Sequence, residues 1–333
     1  MTIASRLSTL PPRMRSNSIL TELKKAQGKH SLSFTDLYSI SQLTETDIEL
    51  IFAVAKVIKK TLNVGKKDLG LLREKTTINF FSEASTRTRV SFELAAKYLG
   101  MQTVNVIGGD SSRKKGETWR DTAQTLESLS ADFLIVRDNE NNLPEKLAKI
   151  VKIPVLNAGD GVNEHPTQAL LEAFTLREKF GKKPLNYLFI GDALHSRVFN
   201  SQTQLYKKLG YKLHLAAPAK LFRPAITGVK STTNLDAALV GIDAIHVIRL
   251  QKERIEAGFV KNLGDYEKDY CLTEKRLEKM NKGGVVMHAG PVMRDSDISS
   301  EVLENPRSLV LPMIRNGLVI RMSLLWLLAQ KKK

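Results

Sequence analysis

The stretch TTINFFSEASTRTRVSFELAAKYLG, residues 76–100, places a predicted strand directly before a predicted helix. β-Branched and aromatic residues dominate its first six positions, which favours a strand over residues 76–81. Val90, Leu94 and Tyr98 then recur at helical spacing, and Gly100 is a typical residue to end a helix. The stretch therefore predicts a strand, a short turn and a helix that begins near residues 85–86.

Three hydroxyls and a guanidinium crowd the start of this helix, at Ser85, Thr86, Arg87 and Thr88. The first backbone N–H groups of a helix have no partner within it, and the helix dipole favours an anion there. The hydroxyls add donors, and the planar guanidinium of Arg87 suits phosphate. The alternative is an ordinary helix cap beside a surface arginine, but the whole cluster favours a phosphate-binding site.

The same alternation of short apolar runs and longer helical patterns continues along the chain. Seven further strands are predicted, at residues 103–107, 133–136, 155–158, 187–190, 213–217, 244–248 and 284–288. Strands that alternate with helices are typical of parallel sheets with covered faces. We therefore predict an α/β protein of two domains, each a parallel sheet flanked by helices, joined near residues 179–186.

Polar and cationic side chains follow most of these strands. In open α/β sheets, ligands bind outside the carboxyl ends of the strands, so residues there are candidates for one site. Besides the cluster at the first helix, these are Ser111, Lys115, Arg137, His165, Gln168, Arg197, Arg249, Gln251 and His288. One such arginine is usually structural, but cations after several strands predict a single cleft for several negative charges.

The composition is that of a globular protein with a strong positive charge. The 333 residues are 42% hydrophobic and carry a formal net charge of +16. A solvated lysine surface, nucleic-acid binding and attraction of small anionic substrates all fit this charge. Scattered lysines and few aromatic residues argue against nucleic acid, and no apolar run reaches the ~18 residues of a membrane span.

Several classes of site and targeting signal are disfavoured. The chain has neither a P-loop nor a GxGxxG fingerprint, and its histidines lack metal-site spacing, so we expect no cofactor and no metal. Cys271 is the single cysteine, which suits a reducing compartment. Residues 1–30 are expected to be a poorly ordered extension; their basic start also resembles a transit peptide, but we favour the cytoplasm.

Taken together, these residues resemble the aspartate/ornithine carbamoyltransferase family. The family signature F-x-E-x-S-T-R-T is found at residues 81–88, and its His-Pro-x-Gln segment at residues 165–168. KKGETWRDTAQTLESL (114–129) is similar to the lysine loop of the family and the helix after it. GDALHSRVFNSQ, IRLQKERI and NGLVIRMSLL also match in order and spacing, so the resemblance covers nearly the whole chain from about residue 31.

The resemblance implies transfer of a carbamoyl group from carbamoyl phosphate to an amine, with L-aspartate as the favoured acceptor in pyrimidine biosynthesis. It implies a carbamoyl-phosphate-binding domain over residues 31–180 and an aspartate-binding domain over 181–312. Residues 313–333 would form a C-terminal helix that packs back on the first domain.

The resemblance also assigns roles to residues. Carbamoyl phosphate would be held by Ser85, Thr86, Arg87, Thr88, Arg137, His165, Gln168, Gly290 and Pro291. Aspartate would be held by Lys115, Arg197, Arg249 and Gln251. Arg87, Thr88, His165 and Lys115 would take part in catalysis, and Ser111 and Lys115 would enter the site of a neighbouring subunit. The family pattern His-Pro-[LG]-Pro is altered here to His288-Ala289-Gly290-Pro291, where we expect a cis bond before Pro291.

The implied assembly is a homotrimer, with regulatory chains or dihydroorotase as further partners of some family members. Ornithine is the alternative acceptor; its cationic side chain would need an acid, whereas Arg249-Leu250-Gln251 suits a second carboxylate. A non-catalytic anion-binding homologue is the other alternative, although it would tolerate loss of the arginines and of the loop lysine that are retained here.

Overall fold

The computed structural model describes residues 12–108, 116–224, 226–250, 263–331 and 333. These residues form two compact units. The first ends at Gly161 and includes the C-terminal segment from Asn316, and the second runs from Val162 to Arg315. The boundary predicted at residues 180/181 stays a prediction; in the structure, the helix before it groups with the second unit and packs on the next helix.

The first unit contains a four-stranded parallel sheet. Its strands are β1 (Thr76–Phe81), β2 (Gln102–Ile107), β3 (Phe133–Asp138) and β4 (Val155–Asp160), in the order β2-β1-β3-β4. The central strands β1 and β3 are almost entirely buried, as expected for apolar runs covered on both faces. All four strands predicted for this part of the chain are confirmed.

Helices accompany this sheet, and their ends follow sequence signals. They are α1 (Pro12–Gln27), α2 (Glu45–Asn63), α3 (Thr86–Leu99), α4 (Trp119–Ser128) and α5 (Leu143–Ala148). Helix α3 begins after Ser85 and ends at Gly100, whose φ of 88° is left-handed, so both predicted ends are confirmed. The expectation of a poorly ordered extension over residues 1–30 stays a prediction; within its described part, α1 is helical and buries Ile19 and Leu23, which lie four residues apart on one face.

The second unit contains a parallel sheet of five strands. They are β5 (Asn186–Gly191), β6 (Lys212–Ala216), β7 (Val229–Thr232), β8 (Ala244–Ile248) and β9 (Val285–His288), in the order β7-β6-β5-β8-β9. Four strands were expected, and β7 is the one that sequence patterning misses. It is a short edge strand with the sequence VKST, so it lacks the apolar run of a buried strand.

The helices of the second unit vary widely in length. They are α6 (Pro166–Phe180), α7 (Arg197–Lys208), α8 (Leu235–Ala238), α9 (Leu263–Tyr270), α10 (Glu274–Leu277) and α11 (Ser300–Glu304). Helix α6 is buried on nearly every side over residues 166–176, so it forms part of the core rather than a surface layer. The polar side chains in its first turns are therefore buried as well.

The last helix, α12 (Val310–Ala329), returns to the first domain. Its Arg321 donates a hydrogen bond of 2.7 Å to Ser91 of α3. Within the described residues it is the one helix long and apolar enough to cross a membrane, but 67% of that window is buried inside the protein. Burial of this kind is typical of a core helix in a soluble domain.

Candidate active site

The N-terminus of α3 has the features of an anion site. Ser85 is the N-cap in an extended conformation, and its side chain makes no capping hydrogen bond. Thr86, Arg87 and Thr88 are the first three helical residues, so their N–H groups have no intrahelical acceptor. Arg87 is exposed, and partial desolvation lowers its pKa below the usual value of an arginine, yet an arginine remains charged at neutral pH. Donors and positive charge therefore gather at one helix end.

Arg137 lies at the same end of the first sheet. Its backbone pairs with Phe81, the last residue of β1, so it sits beside the turn that leads into α3. Its Nη2 is 2.9 Å from Glu83 Oε1, and its Nη1 donates to the carbonyl oxygen of Ala158 at 3.3 Å. Its side chain is 11% exposed, so the guanidinium is held in place beside the helix start.

A further buried cation, Arg321, was not singled out from the sequence. Besides its bond to Ser91, its guanidinium lies 4.8 Å from the ring centre of Phe92. Burial, with a smaller contribution from Arg137, lowers its pKa to about 9. The sequence signal was an arginine within the apolar stretch of α12. Its charge adds to the positive potential of Arg137 in the first unit.

The start of α6 carries two predicted site residues in the second unit. His165 is the N-cap and is 4% exposed, and its backbone N–H donates to Ser201 Oγ at 2.8 Å. Ser201 in turn donates to Glu164 at 2.9 Å, which ties the start of α6 to helix α7. Gln168 lies in the first turn, and its Nε2 donates to Glu172 Oε1 at 2.7 Å.

Arg197 is the first residue of α7, after the carboxyl end of β5. Ser196 caps this helix by accepting a hydrogen bond of 3.1 Å from the N–H of Phe199. Arg197 is 6% exposed. Sequence analysis missed Arg223, which donates to the carbonyl oxygens of Val162 at 3.1 Å and Ser196 at 3.3 Å and has a pKa lowered by burial. The start of α7 is thus held rigidly around Arg197.

Arg249 and the turn at Gly290 follow two adjacent strands. Strands β8 and β9 are paired, with Val247 opposite His288, so both segments leave the same edge of the sheet. The half-buried Arg249 contacts the carbonyl oxygen of Leu250 at 3.4 Å. The Gly290-Pro291 peptide bond is cis, as expected. Arg249 and the Gly290-Pro291 turn therefore follow adjacent strands at the same end of the second sheet.

His288 holds this turn from within the core. Its Nδ1 accepts a hydrogen bond of 2.8 Å from the N–H of Gly290, and its Nε2 is 3.4 Å from Asp297. Burial lowers the pKa of His288, although the neighbouring Asp297 opposes that effect. An acceptor Nδ1 requires the proton on Nε2, so a neutral imidazole fits both contacts.

Three predicted site residues, Ser111, Lys115 and Gln251, lie outside the described residues. Within the part of the chain that the structure describes, no group of three or more His, Cys, Asp or Glu side chains could hold a metal ion. The described candidates fall into two sets: Ser85, Thr86, Arg87, Thr88 and Arg137 in the first unit, and His165, Gln168, Arg197, Arg249, Gly290 and Pro291 in the second.

Comparison with known proteins matches both halves of the chain to one protein family. The carbamoyl-phosphate-binding domain of aspartate/ornithine carbamoyltransferases matches residues 35–178, and their aspartate/ornithine-binding domain matches residues 183–328. The aspartate carbamoyltransferase catalytic subunit of Moorella thermoacetica is 41% identical over 88% of this chain and 96% of its own length.

Solved structures agree with this match. Aspartate transcarbamoylase from Trypanosoma cruzi, in complex with carbamoyl phosphate and aspartate, superposes with a TM-score of 0.80 at 28% identity, over 89% of this chain and 95% of its own. Ornithine carbamoyltransferase from Pyrococcus furiosus gives 0.83 at 27% identity, over 91% and 100%. The chain belongs to the aspartate/ornithine carbamoyltransferase family.

Proposed function

We propose that this protein transfers the carbamoyl group of carbamoyl phosphate to the amine of L-aspartate. The products are N-carbamoyl-L-aspartate and phosphate, and the reaction serves pyrimidine biosynthesis. The observation that carries the proposal is the cluster of donors at the start of α3, beside the fixed guanidinium of Arg137. Relatives named aspartate carbamoyltransferase catalytic subunit, at 41% identity, support aspartate as the acceptor.

Carbamoyl phosphate binds through its phosphate at the N-terminus of α3. Ser85, Thr86, Arg87 and Thr88 supply N–H groups, hydroxyls and one guanidinium, and Arg137 supplies a second guanidinium. The carbamoyl end is assigned to His165, Gln168 and the turn at Gly290 and Pro291. Carbonyl oxygens of that turn accept hydrogen bonds from amino groups of the substrates in this proposal.

L-Aspartate binds through its two carboxylates. Arg197 and Arg249 each offer a planar fork that matches a carboxylate, with Gln251 and Lys115 as further contacts. L-Ornithine has one carboxylate and a cationic side chain, so two arginine forks would pair with it poorly. The arginines therefore favour aspartate as the acceptor.

The reaction is a direct transfer between bound substrates. The aspartate nitrogen forms a bond to the carbamoyl carbon, the bond from that carbon to the phosphate oxygen breaks, and phosphate leaves with the electron pair. In this proposal the phosphate also accepts the proton that the amine loses. Fixing two substrates in contact lowers the barrier by up to roughly 7–11 kcal/mol.

Hydrogen-bond donors stabilise the negative charge that develops during the transfer. Arg87, Thr88 and His165 donate to the carbonyl oxygen as it becomes negative, and Arg87 also stabilises the departing phosphate. Loss of one such donor typically costs a factor of about 10²–10³ in rate. The transfer needs no covalent intermediate on the protein.

The proposed assembly is a homotrimer in the cytoplasm, in which Ser111 and Lys115 complete the site of a neighbouring chain. A heterologous interface of this kind closes into a ring under threefold symmetry. Regulatory chains or dihydroorotase are the further partners proposed for such a trimer.

Competition between the two amines tests the proposed function. Purified protein is given carbamoyl phosphate with equal concentrations of L-aspartate and L-ornithine, and both products are measured by mass spectrometry. N-Carbamoyl-L-aspartate should account for nearly all product. A predominance of citrulline would move the assignment to the ornithine branch, and the absence of both products would support a non-catalytic homologue.

A further inference from the structure

A fully buried carboxylate lies one helical turn beyond Gln168. Glu172 is 0% exposed, and its Oε1 accepts the 2.7 Å hydrogen bond from Gln168 Nε2. Its Oε2 accepts a hydrogen bond from Gln202 Nε2 and lies 2.8 Å from His246 Nδ1. These four residues come from helices α6 and α7 and strand β8, all within the second unit.

The chemistry of the carboxylate fixes the orientation of its partners. An ionised carboxylate offers acceptors only, so each group that contacts it must present an N–H. Gln168 therefore directs its NH₂ group to Glu172, and His246 Nδ1 lies 2.8 Å from the carboxylate and 3.3 Å from Gln202 Nε2. The orientation of an amide is normally ambiguous in a structure, but an acceptor-only partner removes the ambiguity. The carbonyl oxygen Oε1 is then the end that Gln168 offers to a ligand.

Burial restricts the side chains of this network to one arrangement. A buried carboxylate is costly unless several donors satisfy it, and here Gln168, Gln202 and His246 all converge on one. If the Gln168 amide were reversed, its oxygen would face a carboxylate oxygen, and the two atoms would repel each other. The network thus holds one orientation of a side chain that is 8% exposed.

We propose that Glu172 is a positioning residue that orients the Gln168 amide to accept a hydrogen bond from the NH₂ of the carbamoyl group, and so selects carbamoyl phosphate over acetyl phosphate. This inference rests on the proposed function. Acetyl phosphate carries a methyl group where carbamoyl phosphate carries NH₂. A site that presents a polar group to a substrate NH₂ discriminates strongly against an analogue that lacks it.

The isosteric change Glu172→Gln should reverse the amide. Gln202 donates to this side chain, so it holds the oxygen of the new amide and turns its NH₂ toward Gln168. Gln168 then satisfies that NH₂ with its own oxygen and directs its NH₂ group to the substrate. A donor facing the carbamoyl NH₂ is unfavourable, whereas a donor facing a methyl group has a smaller effect.

The test measures kcat/KM for both acyl phosphates with L-aspartate as the acceptor. With acetyl phosphate, the aspartate nitrogen bonds to the acetyl carbon and phosphate leaves, so both reactions release phosphate. The ratio of the two kcat/KM values cancels effects on aspartate binding and on general activity. Glu172→Gln should lower the carbamoyl-to-acetyl ratio by at least about tenfold. A ratio within about twofold of the parent protein would overturn the inference.

Two control variants separate an effect on the orientation of the Gln168 amide from a general loss of stability. Glu178→Gln makes the same change at an exposed position of the same helix and should leave the ratio unchanged. Gln202→Leu removes one donor but keeps the carboxylate toward Gln168, so it should lower the thermal midpoint and keep the ratio. An equal fall of the ratio in Gln202→Leu and Glu172→Gln would contradict the inference.

The remaining outcomes are also decisive. If Glu172→Gln does not fold, Glu172→Asp is measured instead; its carboxylate is one methylene further from Gln168, so the ratio should fall at least about threefold, and an unchanged ratio overturns the inference. Failure of the parent protein to carbamoylate aspartate would reject the proposed function. Normal parent activity with an unaltered ratio in the variants rejects the role of Glu172 alone.

Discussion

The carboxylate of Glu83 lies 2.9 Å from the guanidinium of Arg137 and joins the loop before α3 to strand β3. The two residues are 54 positions apart in the chain. Because the Arg137 side chain is only 11% exposed, this contact fixes a charge that the proposed function needs for phosphate. In the proposed function, the pair therefore supports the carbamoyl phosphate site.

Glu83→Gln should weaken carbamoyl phosphate binding without unfolding the protein. The variant keeps the shape of the side chain but removes the charge that holds Arg137, so we expect KM for carbamoyl phosphate to rise about tenfold, or ~1.4 kcal/mol. Steady-state kinetics with saturating aspartate measure this change. Glu93→Gln, which alters an exposed pair with Lys97 on α3, is the matched control and should leave KM unchanged.

Arg87→Ala should abolish most of the activity and leave the fold intact. In the proposed function Arg87 contacts both phosphate and the developing oxyanion, so its loss should lower kcat/KM by about 10³-fold or more. Since Arg87 is exposed, the free energy of unfolding should change by less than ~0.5 kcal/mol.

Arg89→Ala is the control for Arg87, since it removes an arginine two residues along the same helix. It should retain activity within about threefold of the parent. Near-parental activity of Arg87→Ala, checked by rapid-quench assay, would reject the phosphate site at the start of α3.

His288 should make stability fall on mild acidification. Burial lowers its folded-state pKa below 6.5, so the unfolded chain binds the proton first as pH drops. The free energy of unfolding attributable to His288 should thus decrease below about pH 6.5, by at most ~1.4 kcal/mol per pH unit, and be fully present above it. The groups that influence it are Asp297, Glu172 and His246, all in the second unit.

The comparison with His288→Asn isolates this contribution. Asparagine can still accept the hydrogen bond from Gly290 but does not titrate in this range. Urea unfolding at pH 7.5, 6.5 and 5.5 should show a steeper loss for the parent than for the variant. Parallel losses would show that His288 is not the group responsible.

The proposed sharing of sites between subunits predicts recovery of activity on mixing. Lys115→Ala and Arg87→Ala chains should each be inactive, because each lacks one part of every site. In randomly mixed trimers, about one quarter of the sites would combine an intact Arg87 with an intact Lys115 from the neighbour.

Subunit exchange is verified by native mass spectrometry before activity is assayed. Each variant carried through the same exchange alone is the control and should stay inactive. Verified hybrid trimers without any recovery would show that each chain builds its own site.

Local sequence signals predicted much of the fold, including the strand and helix that carry the candidate residues at Ser85–Thr88. The strand over residues 76–81, the start of α3 near Ser85 and its end at Gly100 depend on neighbouring residues, so patterning is sufficient. Strand β7 was missed because its sequence VKST is polar and its pairing with β6 decides its structure.

The supporting residues could not be predicted because they depend on distant parts of the chain. Glu172 meets His246 across 74 positions, and Arg321 meets Ser91 across 230. Neither pair follows a local period or a spacing rule. The candidate ligand-binding residues were recognisable by their chemistry, whereas the residues that hold them in place depend on the three-dimensional arrangement of the chain.

The stoichiometry of the reaction is the sharpest test of carbamoyl transfer to L-aspartate. Purified protein is incubated with ¹³C-labelled carbamoyl phosphate and L-aspartate, and ¹³C and ³¹P NMR follow both products in one sample. N-Carbamoyl-L-aspartate and inorganic phosphate should rise in equal amounts, and Arg87→Ala should nearly stop both. Phosphate release without labelled carbamoyl aspartate, or no turnover at all, would contradict the proposed transfer.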